Sequence, residues 1–438
     1  NRALREALFN GYRLRASKGE RDNGPLAIKI AQLRAERAAL MGYESHAHYV
    51  LEYNMAKTPA GAEDFLLRVW RPGLAQAKRE RADMQSLMGE TTFAAWDWWH
   101  LAEKLRLARY DLDENTTKPY FKLESVQQGA FAMATKLFGL SFEQADVEGW
   151  NPVVVSFDVK DREGEHLGLF MTDMYARDSK RGGAWMSSFV DQSTLHDNKP
   201  VVVNVMNIKK PSSGPTLLSF DEVTTMFHEF GHGVHGMLSD VEYPMLSGTS
   251  VPRDFVEFPS QFHEDFAFQP EVLERCAKHY ETGAAMPAEL ADKIQRARKF
   301  GQGFASLEYI AAAWLDLAWH SQSKDAEISD VEAFEKEALR AAGVAYHLVP
   351  PRYRTTYFAH IWAGGYSAGY YAYLWSEALA ADGFSYCMEN EGMTRANGER
   401  FRETVLSRGL TQQPMDMFGA FRGRALDTTA VLKRRGLA

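Results

Sequence analysis

Apolar residues recur along most of this chain every three or four positions, the spacing of one face of an α-helix. In residues 25–41, Leu26, Ile30, Leu33 and Leu40 share such a face. A second helix opens at Thr58-Pro59 and runs through Phe65, Leu66, Val69 and Trp70. Trp96, Trp98 and Trp99 lie in a further run towards Leu112, and we read them as packing, since tryptophan is mostly a core residue. Residues 287–321, 330–343 and 367–390 keep the helical spacing. Two short stretches break it. Residues 167–175 and 200–206 are rich in β-formers and bounded by turn residues, so each predicts a strand. The pattern predicts a mainly α fold with a small β-sheet. It contains no internal repeat, low-complexity tract or long polar linker.

One helix-like segment carries candidate chemistry. Ser219 and Glu222 fit a capping box, and Val223, Met226, Phe227, Phe230 and Val234 supply apolar surface for burial. In mid-helix the chain reads His228-Glu229-Phe230-Gly231-His232. Residues four apart lie on one face, so His228 and His232 can present two imidazoles to one metal ion. Glu229 is then within reach of a water on that metal. Two neutral nitrogen ligands, an open coordination position and a proton-accepting carboxylate are what a zinc peptidase needs. Only three of the five positions are fixed, so the pattern alone can arise by chance.

Zinc requires a third protein ligand. Residues 247–252 read as a loop punctuated by Gly248 and Pro252, and residues 254–266 then resume a helical rhythm. Glu257 is the favoured ligand. Asp254 and Glu264 share its face, and either could take the second ring proton of a zinc-bound histidine. His235 and His263 compete for the ligand role, but three imidazoles from one helix would need strained geometry. The plainer reading of Glu257 is a solvated or salt-bridged carboxylate. His46 and His48 are two apart, which does not suit a helical metal pair, and we read them as structural.

Two other segments attract notice. His360 lies just before Gly364-Gly365-Tyr366, and Tyr373 follows one helical heptad after Tyr366. Water attack on a peptide carbonyl makes an oxyanion, and tyrosine hydroxyls and a histidine N–H are suitable donors to it. Glycines beside such donors let a loop adopt positive φ or move. An aromatic helix–turn packed in the core is the plainer alternative. Between the two predicted strands, Lys180-Arg181-Gly182-Gly183-Ala184-Trp185-Met186 sets two glycines before a large aromatic residue. An extended peptide could add to such an edge by main-chain hydrogen bonds, or the segment is a tight hairpin with no ligand.

Composition narrows the class. A chain of 438 residues can bury a large core. The net charge of −8 comes without a basic stripe, which argues against nucleic acid. No apolar run approaches membrane-spanning length. Two cysteines, Cys276 and Cys387, are too few for a disulfide framework and fit a reducing, cytoplasmic setting.

The stretch from His228 to His232, with His235, Gly248, Asp254, Glu257, Pro259-Ser260 and Glu264, resembles position by position the long zinc signature of the thimet oligopeptidase family of zinc metallopeptidases. Leu246 to Thr249 and Arg253 to Gln261 look most like its bacterial peptidyl-dipeptidase branch, and less like the oligopeptidase A type. The resemblance covers essentially the whole chain. It implies one zinc ion held by His228, His232 and Glu257, with Glu229 as general base. It assigns His360, Tyr366 and Tyr373 to substrate and transition-state binding. It implies a helical fold around a deep channel that admits short peptides, with residues 1–150 as a helical region and residues 151–438 as the catalytic region. The branch implies release of C-terminal dipeptides, with Arg352, Arg354, Lys180 and Arg181 as candidates to hold the substrate carboxylate. Family members carry a further N-terminal helical region. The start at Asn1 therefore suggests a fragment or processed product, with that region as a possible partner of the chain.

Overall fold

The helix predicted near residue 25 forms over Gly24–Leu40, but the face it buries is not the leucine face. Ala27, Ala31, Ala35 and Ala38 are buried, whereas Leu26, Leu33 and Leu40 are exposed. Both stripes have helical spacing, and small side chains let neighbouring backbones approach. The computed structural model describes residues 1–438. Its contacts separate two units, one built from Asn1–Asp111, Ala297–Trp375 and Leu432–Ala438, the other from Leu112–Arg296 and Ser376–Val431. Helices hold 54% of the residues, so the mainly α expectation is met.

In the first unit, Pro59–Gln85 packs along Gln302–His320. Gly303 permits the crossing, since a Cβ there would lie 2.3 Å from the Ala77 nitrogen. Buried Glu80 accepts hydrogen bonds from the backbone N–H groups of Gly303 (2.9 Å) and Phe304 (3.0 Å). It thus satisfies two of the donors that every helix start leaves unpaired. The run expected over residues 287–321 is two helices, Ala288–Ala297 and Gln302–His320, broken where Gly301 takes φ +71°. Trp98 is core, while Trp99 is exposed and meets Tyr12 and Phe304 edge-on. Leu432–Ala438 returns to this unit, where the Arg435 guanidinium donates to the Ser306 hydroxyl at 2.9 Å.

The second unit holds the sheet. Its strands are β1 (Ser141–Ala145), β2 (Val155–Lys160), β3 (His166–Tyr175), β4 (Trp185–Val190) and β5 (Val201–Ile208), in the order β1-β2-β3-β5-β4. All pairs are antiparallel except β3 with β5. β5 is interior, which fits its nearly unbroken apolar sequence. β4 lies at one edge of the sheet. The helix Phe220–Met237 packs on β3, β4 and β5. Its Phe230 enters a cluster of rings with Phe131, Phe142 and Phe170 at centroid distances of 5.6–5.8 Å. On the far side of this helix lies Arg253–Glu264, whose Phe258 and Phe262 pack against Phe401. No helix of the chain is long and apolar enough to cross a membrane.

Candidate metal centre

The helix Phe220–Met237 begins as its sequence predicts. The Ser219 hydroxyl accepts from the Glu222 N–H at 3.2 Å, and the Glu222 carboxylate accepts from the Ser219 N–H at 2.7 Å. This reciprocal cap fixes the helical phase of His228 and His232 nine or more residues on. The second helix, Arg253–Glu264, comes unusually near, because Gly231 faces it. A Cβ on Gly231 would lie 2.7 Å from the Ser260 Cα. That closeness brings Glu257 against both histidines. Its Oε2 is 3.1 Å from His228 Nε2 and 3.0 Å from His232 Nε2. The three side chains form one group able to hold a metal ion.

The surroundings fit a cation at that point. Glu264 Oε1 lies 2.7 Å from His228 Nδ1. A carboxylate only accepts, so Glu264 holds the proton on Nδ1, and a metal at Nε2 would take the place of the proton shared there with Glu257. Burial pushes the His228 pKa down, but its hydrogen bonds to Glu257 and Glu264 outweigh this and hold it well above the usual imidazole value. Burial pushes Glu257 up, and the charge of His232 together with the bonds from both histidines holds it well below the usual carboxylate range. Both shifts have one cause, the pairing of the imidazoles with the buried carboxylates. Two imidazole nitrogens and a carboxylate oxygen are the donor set of catalytic zinc sites.

Glu229 faces a different environment. It is buried, its Oε2 has no hydrogen-bond partner, and burial raises its pKa. Its backbone carbonyl accepts from the Asn204 amide on β5 at 2.6 Å. Sequence reading did not single out Asn204; one amide amid the valines of β5 was the available signal. The competing histidines are buried elsewhere. Neither His235 ring nitrogen has a partner, and burial lowers its pKa to about 3. His263 Nδ1 is 2.6 Å from the Pro259 carbonyl, with its pKa lowered to about 4 by burial. Asp254 is fully buried one turn before Glu257, and its carbonyl accepts from the Ser376 hydroxyl.

His360, Tyr366 and Tyr373 gather in the first unit, with Arg352 and Arg354, whereas Lys180 and Arg181 lie in the second. Tyr366 and Tyr373 stack with ring centroids 5.0 Å apart, and His360 stands 5.9 Å and 6.3 Å from them. Burial, then the charge of Arg352, lowers the His360 pKa, which favours the neutral ring. Of the four basic candidates, two are already neutralised. Arg354 pairs with Glu335 at 2.7 Å. Lys180 is buried against Asp173 and donates to the carbonyls of Asp173, Tyr175 and Met206. Arg181 lies over the Trp185 ring and Arg352 over that of Tyr353, which in turn sits 5.0 Å from His360.

A helical scaffold that brings two histidines and a glutamate to one point, with a carboxylate behind one imidazole, defines a metal-site protein of the two-histidine, one-carboxylate class. The chain belongs to Peptidase family M3, whose sequence model matches residues 1–437. It is 43% identical to the dipeptidyl carboxypeptidase of Escherichia coli (strain K12) over the whole of this chain and 65% of that protein. It is 36% identical to oligopeptidase A of Salmonella typhimurium, again over the whole chain and 66% of the relative. The chain thus spans about two thirds of the length of these curated relatives. Among solved structures, its fold is similar to the Pyrococcus furiosus carboxypeptidase, with a TM-score of 0.54 at 13% identity over 99% of this chain and 77% of the other. The M32 carboxypeptidase of Deinococcus radiodurans R1 gives 0.55 at 13%, over 99% and 76%.

Proposed function

We propose that this chain is the peptide-cleaving part of a zinc peptidyl-dipeptidase, which removes dipeptides from the C-terminus of short peptides. The convergence of His228, His232 and Glu257 beside an unpartnered Glu229 carries the reading. Zinc held by the three ligands supplies a Lewis acid and an acidified water. Glu229 Oε2 accepts the proton of the attacking water and returns it to the leaving amine, and its raised pKa suits both transfers. Glu264 holds the His228 ring in one tautomer and orientation. Tyr366, Tyr373 and neutral His360 donate to the oxyanion and the substrate backbone. Arg352 is the group for the substrate's terminal carboxylate, since it belongs to the same aromatic cluster as His360. Cys276 and Cys387 are both free and buried, which supports a reducing cytoplasmic setting.

The test compares two forms of one peptide of about eight residues, by mass spectrometry of products with and without chelator. The N-acetylated peptide with a free C-terminus should lose dipeptides stepwise. Its C-terminal amide should be cut roughly a hundredfold more slowly, because a buried carboxylate site is left unpaired. Internal cuts at similar rates in both would favour an endo-acting oligopeptidase. Binding without cleavage would make the chain a peptide-binding zinc protein.

A further inference from the structure

Tyr366 and Tyr373 flank a stretch that fails to be helical where its spacing predicts a helix. Residues 367–371 are turns, and regular helix begins only at Ala372. The cause lies about fifty residues earlier. The fully buried Asp316 carboxylate accepts three consecutive backbone N–H groups, from Ala368, Gly369 and Tyr370, each at 2.8 Å. Ala368 takes φ +52°, a left-handed conformation that alanine rarely adopts and that surrounding contacts must enforce.

The contacts continue round the other side. His320, one turn after Asp316, lies 2.8 Å from Asp316 Oδ1 through Nδ1 and 2.9 Å from Arg34 Nη1 through Nε2. Arg34 donates to the carbonyls of Ile361 (2.8 Å) and Trp362 (3.3 Å). His46 Nε2 meets the Ser367 hydroxyl at 2.9 Å. The chain of groups therefore grips both shoulders of the Gly364-Gly365 turn. Ile361 and Trp362 are held before it, and Ser367 to Tyr370 after it. Buried ionic groups rarely add net stability, so a network that only filled space would gain nothing over apolar packing. Here its polar atoms are spent on the backbone of one segment.

We propose that Asp316, His320 and Arg34 are positioning residues that clamp the backbone on either side of Tyr366, and thereby aim the Tyr366 hydroxyl at the reacting carbonyl. The proposal rests on the role given to Tyr366 above. Glycines 364 and 365 supply the turn, and the clamp removes the freedom they would otherwise bring.

The experiment uses the metal-loaded chain and compares Asp316→Asn, Tyr366→Phe, the double variant and Arg34→Gln. Asparagine keeps the shape of Asp316 but turns an NH2 group towards backbone N–H donors. The kcat of Asp316→Asn should fall roughly ten- to a hundredfold, as misplacement of donors does. KM should stay within about threefold, because the loss falls on the transition state. Metal content should be unchanged, and hydrogen exchange should quicken in residues 364–374. The double variant should be scarcely slower than Tyr366→Phe, since a hydroxyl already removed cannot be misaimed. Multiplying losses in the double variant, or unchanged exchange in residues 364–374, would overturn the clamp while leaving the tyrosine reading intact. A normal kcat in Tyr366→Phe would overturn that reading and the clamp with it. If Asp316→Asn does not fold, Arg34→Gln decides. It opens only the first shoulder and should lower kcat with KM nearly unchanged, and a normal kcat would sink the proposal.

Discussion

Glu229 keeps one carboxylate oxygen buried and unpartnered. Glu229→Gln removes the charge and keeps the shape. We expect metal to be retained while kcat drops roughly a hundredfold or more. A near-normal kcat at full metal occupancy would remove the base from the mechanism. Arg352 is tested by the opposite signature. Arg352→Gln should raise KM for a free-acid peptide about 10- to 100-fold, the weight of a hydrogen bond to a charged group. It should leave cleavage of the corresponding amide little changed, whereas Arg181→Gln should alter neither. Equal effects on acid and amide would return Arg352 to a structural role. At this scale the sequence was informative wherever residues are neighbours on one helix. His228, Glu229 and His232 share a short periodic frame, and Glu264 lies on the same face as Glu257. The partners of Arg354 and Lys180 were not legible, because Glu335 and Asp173 owe their positions to tertiary packing.

The helices show the same division. The capping box at Ser219 needs only four residues, so the motif helix could be read with its start. The helix at Gly24–Leu40 could be read but not its orientation, since alanines and leucines both repeat at helical spacing. The late start at Ala372 was hidden because Asp316, far away in sequence, captures the N–H groups of the expected first turn. Gly231 shows how an element can be tuned against its own propensity. Alanine there would favour the isolated helix by about 1 kcal/mol. Its Cβ would nevertheless meet the Ser260 Cα at 2.7 Å and the Pro259 carbonyl at 3.0 Å. These are backbone atoms, so Arg253–Glu264 would have to move as a body and carry Glu257 with it. Gly231→Ala should therefore bind zinc at least tenfold more weakly, a displacement of a ligand costing as much as losing its support. Competition with a fluorescent chelator reads this directly, and unchanged affinity would show that the two helices are free to separate.

At the scale of the molecule, a metal bound by His228, His232 and Glu257 would tie Phe220–Met237 to Arg253–Glu264. At a thousandfold excess over its dissociation constant, such a ligand stabilises the state that binds it by about 4 kcal/mol. Removing it with a chelator should quicken amide exchange in these two helices and leave Pro59–Gln85 and Gln302–His320 as they were. A uniform change along the chain, or none, would mean that the ion is not what joins them. The division into two units was beyond the reach of periodicity, because segments far apart in sequence complete each unit.

That interleaving has a consequence for how the protein is made. Asn1–Asp111 is translated well before the other segments of its unit, Ala297–Trp375 and Leu432–Ala438. About 320 residues separate the end of the first segment from the start of the last. At 5–20 residues per second, that is roughly 15–60 s in which a partly built helical unit waits with apolar surface uncovered. The second unit, although translated later, receives all of its segments first. The order in which the units start and the order in which they are completed are thus reversed, and the nascent chain is a natural client for holding chaperones until residues 432–438 have followed.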